Sequence, residues 1–254
     1  MYDREYGALG RVGIVTPQAN PTVEPEISLL LPPRVSMVVA RCVSRGEPRE
    51  RLREYFQRLD ETLARFDTMP LDVVGFACTG STYLLGRDAE QATLAALEER
   101  FGYPVVSAAQ SIEAALEELG AKRIALACPY PEWLLEAAQT YWSQRGYEIV
   151  AGGSVQPRSG DTRSIYALSG AQAATSIRAL FAGVEADAYV VTGTGMPGLR
   201  LLAELATEHG RPALNSNLCL AWNCLRRAGI PLDGRAPTAD FPLIGGWTDG
   251  IDEL

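Results

Sequence analysis

The chain repeats itself. Gly10–Pro17 reads GRVGIVTP and Lys122–Pro129 reads KRIALACP. Leu71–Gly80 reads LDVVGFACTG, and Ala186–Gly195 follows the same pattern without a gap as ADAYVVTGTG. Gly102–Ser107, GYPVVS, has its counterpart in Gly210–Asn215, GRPALN. The three segments occur in one order in both halves, the mark of a duplicated unit. Each carries a short apolar, β-branched run of the kind needed by a strand covered on both faces of a parallel sheet. Between them lie stretches of helical periodicity: Glu47–Phe66, Asp88–Phe101, Ser111–Leu119, Glu132–Arg145, Ala171–Phe181, Leu199–His209 and Leu218–Ala228. Strand–helix alternation predicts right-handed βαβ units. The expected fold is therefore α/β, in two pseudo-symmetric halves, each a parallel sheet flanked by helices. A chain of 254 residues has room for halves over 1–120 and 121–229, followed by a Pro/Gly-rich tail over 230–254. Phe241, Leu243, Ile244 and Trp247 are too apolar to leave in water, so the tail is expected to pack back on the body.

Composition removes several classes of function. A net charge of −8 gives no clustered excess of Lys and Arg for the phosphates of a nucleic acid. A small anion remains an acceptable partner, because backbone amides and hydroxyls hold one without a basic surface. No apolar run reaches the roughly 18 residues of a membrane span. The opening MYDREYGALG lacks the basic start and apolar core of a signal peptide, so a cytoplasmic location is expected. The five cysteines (Cys42, Cys78, Cys128, Cys219 and Cys224) form no C-x-x-C pair, and the one histidine is His209. Free thiols, no metal and no cofactor are the expectation. A Ser-His-Asp mechanism would depend on His209, which closes a helix in EHGRP, and is disfavoured.

In open parallel sheets ligands bind at the carboxyl ends of strands. Four such ends carry small, polar or Gly/Pro residues: Thr16–Asn20, Cys78–Thr82, Cys128–Tyr130 and Thr192–Gly195. Cys78-Thr79-Gly80-Ser81-Thr82 places a thiol, hydroxyls and backbone N–H groups around one point near a helix start, where an anion is stabilised and a thiol responds to bound charge. Thr194-Gly195 offers the same donors from the other half. Facing across one cleft, the two loops would hold a carboxylate, or the enediolate formed from it, from both sides. Gly193 then stands where a second cysteine would be. Competing structural readings apply to several of these residues. Cys42, Cys219 and Cys224 read as core, and Cys128 matches Thr16 and reads as core too. Gly193 and Gly195 suit turns, Asn20 before Pro21 suits a helix cap, and Tyr130 suits aromatic packing.

These loops resemble the Asp/Glu racemase superfamily, in its branch of maleate cis-trans isomerases and arylmalonate decarboxylases, over nearly the whole chain up to Ile230. GIVTPQANPTVEPEI is similar to the isomerase opening, with Asn20 at the substrate-binding asparagine and Thr22, Glu24 and Glu26 in matching places. VVGFACTGSTYLLG is similar to the first cysteine loop, with Cys78 at the isomerase nucleophile. KRIALACPY carries Tyr130 at the carboxylate-binding tyrosine, and ADAYVVTGTGMPGL is similar to the second cysteine loop, including Met196-Pro197. The resemblance implies two cysteines for a racemase or maleate isomerase, and the second falls on Gly193. It implies one for a decarboxylase, but on the second loop. The order here is inverted, cysteine first and glycine second.

The expected activity is a cofactor-independent decarboxylation of a small malonate-type dicarboxylate. Its enediolate would be held by Thr79, Gly80, Tyr130, Thr194 and Gly195 and protonated by Cys78 alone. Ser81 is expected to replace a hydroxyl that Gly80 lacks. One alternative is a maleate isomerase-like reaction with Cys78 as nucleophile, and another is a non-catalytic carboxylate-binding protein. A cysteine placed at Gly193 is expected to supply the missing acid wherever space allows, and association into a homo-oligomer is left open.

Overall fold

The computed structural model describes residues 4–155 and 160–230. The expected docking of the tail lies outside these residues, save for Ile230, which is buried against Gly10. Among the described residues no helix is long and apolar enough to cross a membrane.

Two four-stranded parallel sheets form the body. The first contains β1 (Gly10–Pro17), β2 (Val35–Cys42), β3 (Val73–Phe76) and β4 (Val105–Ser107), in the order β2-β1-β3-β4. The second contains β5 (Arg123–Cys128), β6 (Glu148–Ser154), β7 (Ala188–Val191) and β8 (Ala213–Asn215), in the order β6-β5-β7-β8. The two orders are the same, as the duplication requires. Every residue of β3, β4, β7 and β8 is buried, which matches their unbroken apolar runs. Registers correspond as well: Val15 pairs with Phe76 across β1 and β3, and Ala127 pairs with Val191 across β5 and β7. Pro17 thereby falls beside Cys78, and Pro129 beside Gly193.

Among the described residues, ten α-helices cover the sheets: α1 (Val23–Leu30), α2 (Pro48–Gln57), α3 (Leu59–Leu63), α4 (Thr79–Leu85), α5 (Arg87–Phe101), α6 (Ala108–Glu118), α7 (Glu132–Gln144), α8 (Gly170–Phe181), α9 (Leu199–His209) and α10 (Ser216–Arg227). The stretch Glu47–Phe66, expected as one helix, is three pieces. Arg58 leaves helical geometry at φ −107° and ψ 24°, and a short 3-10 turn over Ala64–Phe66 follows α3. The break lets both pieces bury apolar residues, Tyr55 and Phe56 on one, Leu59 and Leu63 on the other. The equivalent helices α6 and α10 begin directly at the ends of β4 and β8. Ser107 Oγ accepts the Gln110 N–H (3.0 Å), and Asn215 Oδ1 accepts the Leu218 N–H (2.7 Å).

Polar groups tie the halves together at depth. Glu26, on α1, is 6% exposed; its Oε1 accepts the N–H groups of Gly198 (2.7 Å) and Leu199 (3.3 Å), and its Oε2 accepts the Asn217 amide (2.7 Å). Burial pushes the Glu26 carboxyl above the ordinary range, while the Asn217 amide and the two backbone donors pull against that shift. Asn223 donates to Ser111 (3.1 Å), and Tyr141 donates to Glu90 (2.6 Å). Glu26→Ala strands three buried donors, each costing about 1–3 kcal/mol when unpaired. Urea unfolding should show a loss of at least about 3 kcal/mol, larger than that for Glu26→Gln, which keeps a carbonyl for the two backbone donors. Equal losses would mean that the carboxylate's place in this network does not hold the halves.

Candidate active site

The loops after β1, β3, β5 and β7 meet at one cleft of about 420 Å³, counting its open mouth. Asn20, Cys78, Thr79, Gly80, Tyr130, Gly193, Thr194 and Gly195 all line it, so eight of the nine residues singled out in the sequence come together. Ser81 is the ninth. It is buried beneath the thiol with its Oγ 3.1 Å from Cys78 Sγ, and it does not line the cleft. Its hydroxyl is thus in contact with the thiol.

Cys78 is the residue before α4, with extended backbone (φ −150°), at the point where β3 hands over to the helix. Burial raises its thiol above the ordinary range. The Ser81 hydroxyl, the N–H groups of Ser81 and Gly80 and the Arg51 guanidinium all act in the opposite sense. Cys42 and Cys128 are pushed up to about 12 by burial, and Cys219 and Cys224 are buried on α10. None of these four lines the cleft. Cys128 Sγ accepts the Thr192 hydroxyl (3.2 Å) in the core, as its match to Thr16 suggested. His209 stacks on Tyr189 with ring centroids 4.0 Å apart and has no place in the cleft.

The donors are held by each other. Thr79 Oγ1 and Tyr130 Oη are 2.5 Å apart. Thr194 donates to the Ala77 carbonyl (2.9 Å) and accepts the Asn20 amide (3.2 Å), while Thr22 donates to the Gly195 carbonyl (2.9 Å). Asn20 serves both of its readings: its Oδ1 accepts the N–H groups of Thr22 (2.9 Å) and Val23 (3.2 Å) at the head of α1, and its Nδ2 reaches across to the second loop.

Several cleft residues had escaped the sequence reading. Arg51 and Tyr55 come from α2, and Thr162, Arg163 and Tyr166 from a 3-10 turn over Thr162–Ala167. Arg51 is 3% exposed; it donates to Asp161 Oδ1 (2.8 Å), Thr162 Oγ1 (3.2 Å) and the Gly46 carbonyl (3.3 Å). The signal available was helical spacing, since Arg51 precedes the buried Tyr55 by one turn and shares its face. Tyr166 packs over Gly195, where an added Cβ would lie 2.5 Å from its ring.

Gly193 bears on the space that an added cysteine would need. Its φ is +97°, and a Cβ there would lie 2.4 Å from Pro129 Cγ and 3.1 Å from Ile165 Cδ1. A side chain at 193 would have to displace Pro129, so a cysteine there is not a simple gain of an acid. Gly183 also has positive φ (+70°) but nothing within 4 Å of its Cβ position. Gly183→Ala should cost only the backbone term of about 1–2 kcal/mol, and Gly193→Ala distinctly more in urea unfolding. Similar losses for the two variants would mean that the second loop has room for a side chain after all.

A family model described as arylmalonate decarboxylase matches residues 12–240. Maleate isomerase of Geobacillus stearothermophilus is 25% identical over 249 residues, covering 92% of this chain and 97% of that one. Maleate isomerase of Pseudomonas putida is 28% identical over 153 residues, 56% of this chain and 61% of that one. Among solved structures, the maleate isomerase of Pseudomonas putida S16 superposes with a TM-score of 0.81 at 22% identity, covering 94% of this chain and 99% of that one. A cysteine-to-serine mutant of the Nocardia farcinica maleate cis-trans isomerase, with a covalently bound succinylcysteine intermediate, has a TM-score of 0.76 at 24% identity, over 88% of this chain and 94% of that one. The solved structures share the fold, and the match of the family model over most of the length decides membership: the chain belongs to the arylmalonate decarboxylase family.

Proposed function

We propose that the chain is a cytoplasmic, cofactor-independent isomerase of a small cis-dicarboxylate of the maleate type, with Cys78 as its nucleophile. The observation that carries this reading is one thiol in a cleft lined by neutral polar groups from both halves, Asn20, Thr79 and Gly80 from the first and Tyr130, Thr194 and Gly195 from the second. Membership of an enzyme family removes the expectation of a non-catalytic binder. Between the two catalytic expectations, the near full-length relatives favour the isomerase over the decarboxylase that led the sequence reading. The Nocardia mutant is a precedent for a thiol adduct in an enzyme with one cysteine replaced.

The chemistry balances with a single thiol. The thiolate of Cys78 adds to one alkene carbon, and the π electrons move through the other carbon onto its carboxylate as an enediolate. That oxyanion is held by the hydroxyls and N–H groups of the two loops, donors typically worth about 3–4 kcal/mol each. The former double bond is then single and rotates. Collapse of the enediolate restores the double bond in the trans form and expels the thiolate. No net proton is consumed, so Gly193 is no obstacle.

One observation favours the second reading, decarboxylation. Burial raises the Cys78 thiol above its ordinary range, and a protonated thiol is what delivery of a proton to an enediolate requires. The two readings differ in sign with pH. A thiolate nucleophile whose pKa is raised gains roughly tenfold in kcat/KM per pH unit up to that pKa. A thiol acid gives a flat profile that falls only above it. Assays with maleate and with phenylmalonate, following fumarate and CO2 from pH 6 to 9, separate them. Fumarate with a rising profile is expected, and Cys78→Ala should abolish it without unfolding the protein. CO2 from phenylmalonate with a flat profile would replace this reading by decarboxylation.

A further inference from the structure

The cleft holds a charge to which the steps above assign no contact with the substrate. The donors around Cys78 are neutral, and the cleft wall beyond them is apolar at Leu52, Leu134 and Ile165. Arg51 lies in that wall almost fully buried. Burying a guanidinium is costly unless a carboxylate meets it. Here the carboxylate is Asp161, which is shared: it takes Arg51 Nη2 on Oδ1 (2.8 Å), and it also takes Arg163 Nε on Oδ2 (3.0 Å) and Arg163 Nη2 on Oδ2 (2.7 Å). Arg51 and Arg163 both line the cleft, and they are the charged side chains that do so among the described residues. Among the described residues, Arg51 and Arg163 both pair with Asp161 at the wall of this cleft.

We propose that Arg51 is a specificity-determining residue that receives the second carboxylate of the substrate, in exchange for part of its pairing with Asp161. The proposal rests on the reading of the cleft as a dicarboxylate site, and it names which end of the substrate each donor set holds. The reacting carboxylate sits among Thr79, Tyr130, Thr194 and the backbone N–H groups by the thiol. The distal one reaches the guanidinium, whose paired donors suit a carboxylate better than any neutral group in the cleft. Negative charge that builds up on thiolate addition to a dianion is then opposed from the same wall.

Succinate and butyrate have the same carbon count and differ by one carboxylate, so they isolate this contact. Calorimetry on the Cys78→Ser protein avoids turnover. Succinate should bind roughly tenfold or more tighter than butyrate, the range of a charge-assisted hydrogen bond. Adding Arg51→Met should erase that preference while leaving butyrate nearly unchanged. Asp161→Asn, which leaves Arg51 in place and removes its competitor, should tighten succinate several-fold, and this arm keeps the test decisive if Arg51→Met fails to fold. Equal binding of the two acids, a preference that survives Arg51→Met, or weaker succinate binding in Asp161→Asn would each overturn the proposal. If maleate is not turned over but the Arg51-dependent preference stands, the isomerase reading alone fails.

Discussion

One hydroxyl joins the two halves at the point where chemistry is possible. Thr194, at the end of β7, donates to the carbonyl of Ala77, at the end of β3, and accepts the amide of Asn20 from the loop after β1. Three strand ends from two sheets are thereby fixed within one buried hydrogen-bond network. Such a network is worth keeping only when every member is satisfied. Glu26 does the same one layer deeper, holding the backbone of Gly198 and Leu199 and the side chain of Asn217, whose amide also meets the Thr194 carbonyl (3.0 Å). Cys78 sits beside this seam because its strand end is part of it.

The duplication makes the cleft, and its breakdown gives the cleft a direction. Pro17 lies beside Cys78 and Pro129 beside Gly193 at matching positions of the two sheets. The first loop keeps an extended backbone at Cys78 and has space for a thiol. The second turns to φ +97° at Gly193, a conformation that aims any Cβ at Pro129. The difference between the halves is therefore one of backbone as much as of side chain. A side chain at 193 would have to displace Pro129, whereas Cys78 already lines the cleft.

The sequence makes much of this legible, and the reasons for the gaps are physical. Buried parallel strands need unbroken apolar runs, so β1, β3, β4 and their partners stand out, and the loops that end them follow. The edge strand β6, EIVAGGS, is half exposed and rich in glycine, so it leaves no such run. Arg51 belongs to a helix that looks charged and solvated, and its burial depends on the turn over Thr162–Ala167 folding down upon it. Tyr166 belongs to a segment with no period at all. Ser81 belongs to the same loop, but the contact of its hydroxyl with the thiol depends on the first turn of α4, which its place in the sequence does not reveal. The crowding at Gly193 was hidden for a similar reason, since glycine in a sequence does not say whether the space beside it is empty.

Deuterium in the product tests the one-faced chemistry most directly. Maleate converted in D2O is examined by proton NMR and mass spectrometry of the fumarate formed at partial conversion. Addition by Cys78, rotation and elimination move no proton to or from carbon, so the fumarate should carry no solvent deuterium. Fumarate labelled at carbon would show that a proton is delivered and removed at that centre, and that a second acid faces the substrate from a side where Pro129 and Gly193 leave it no place.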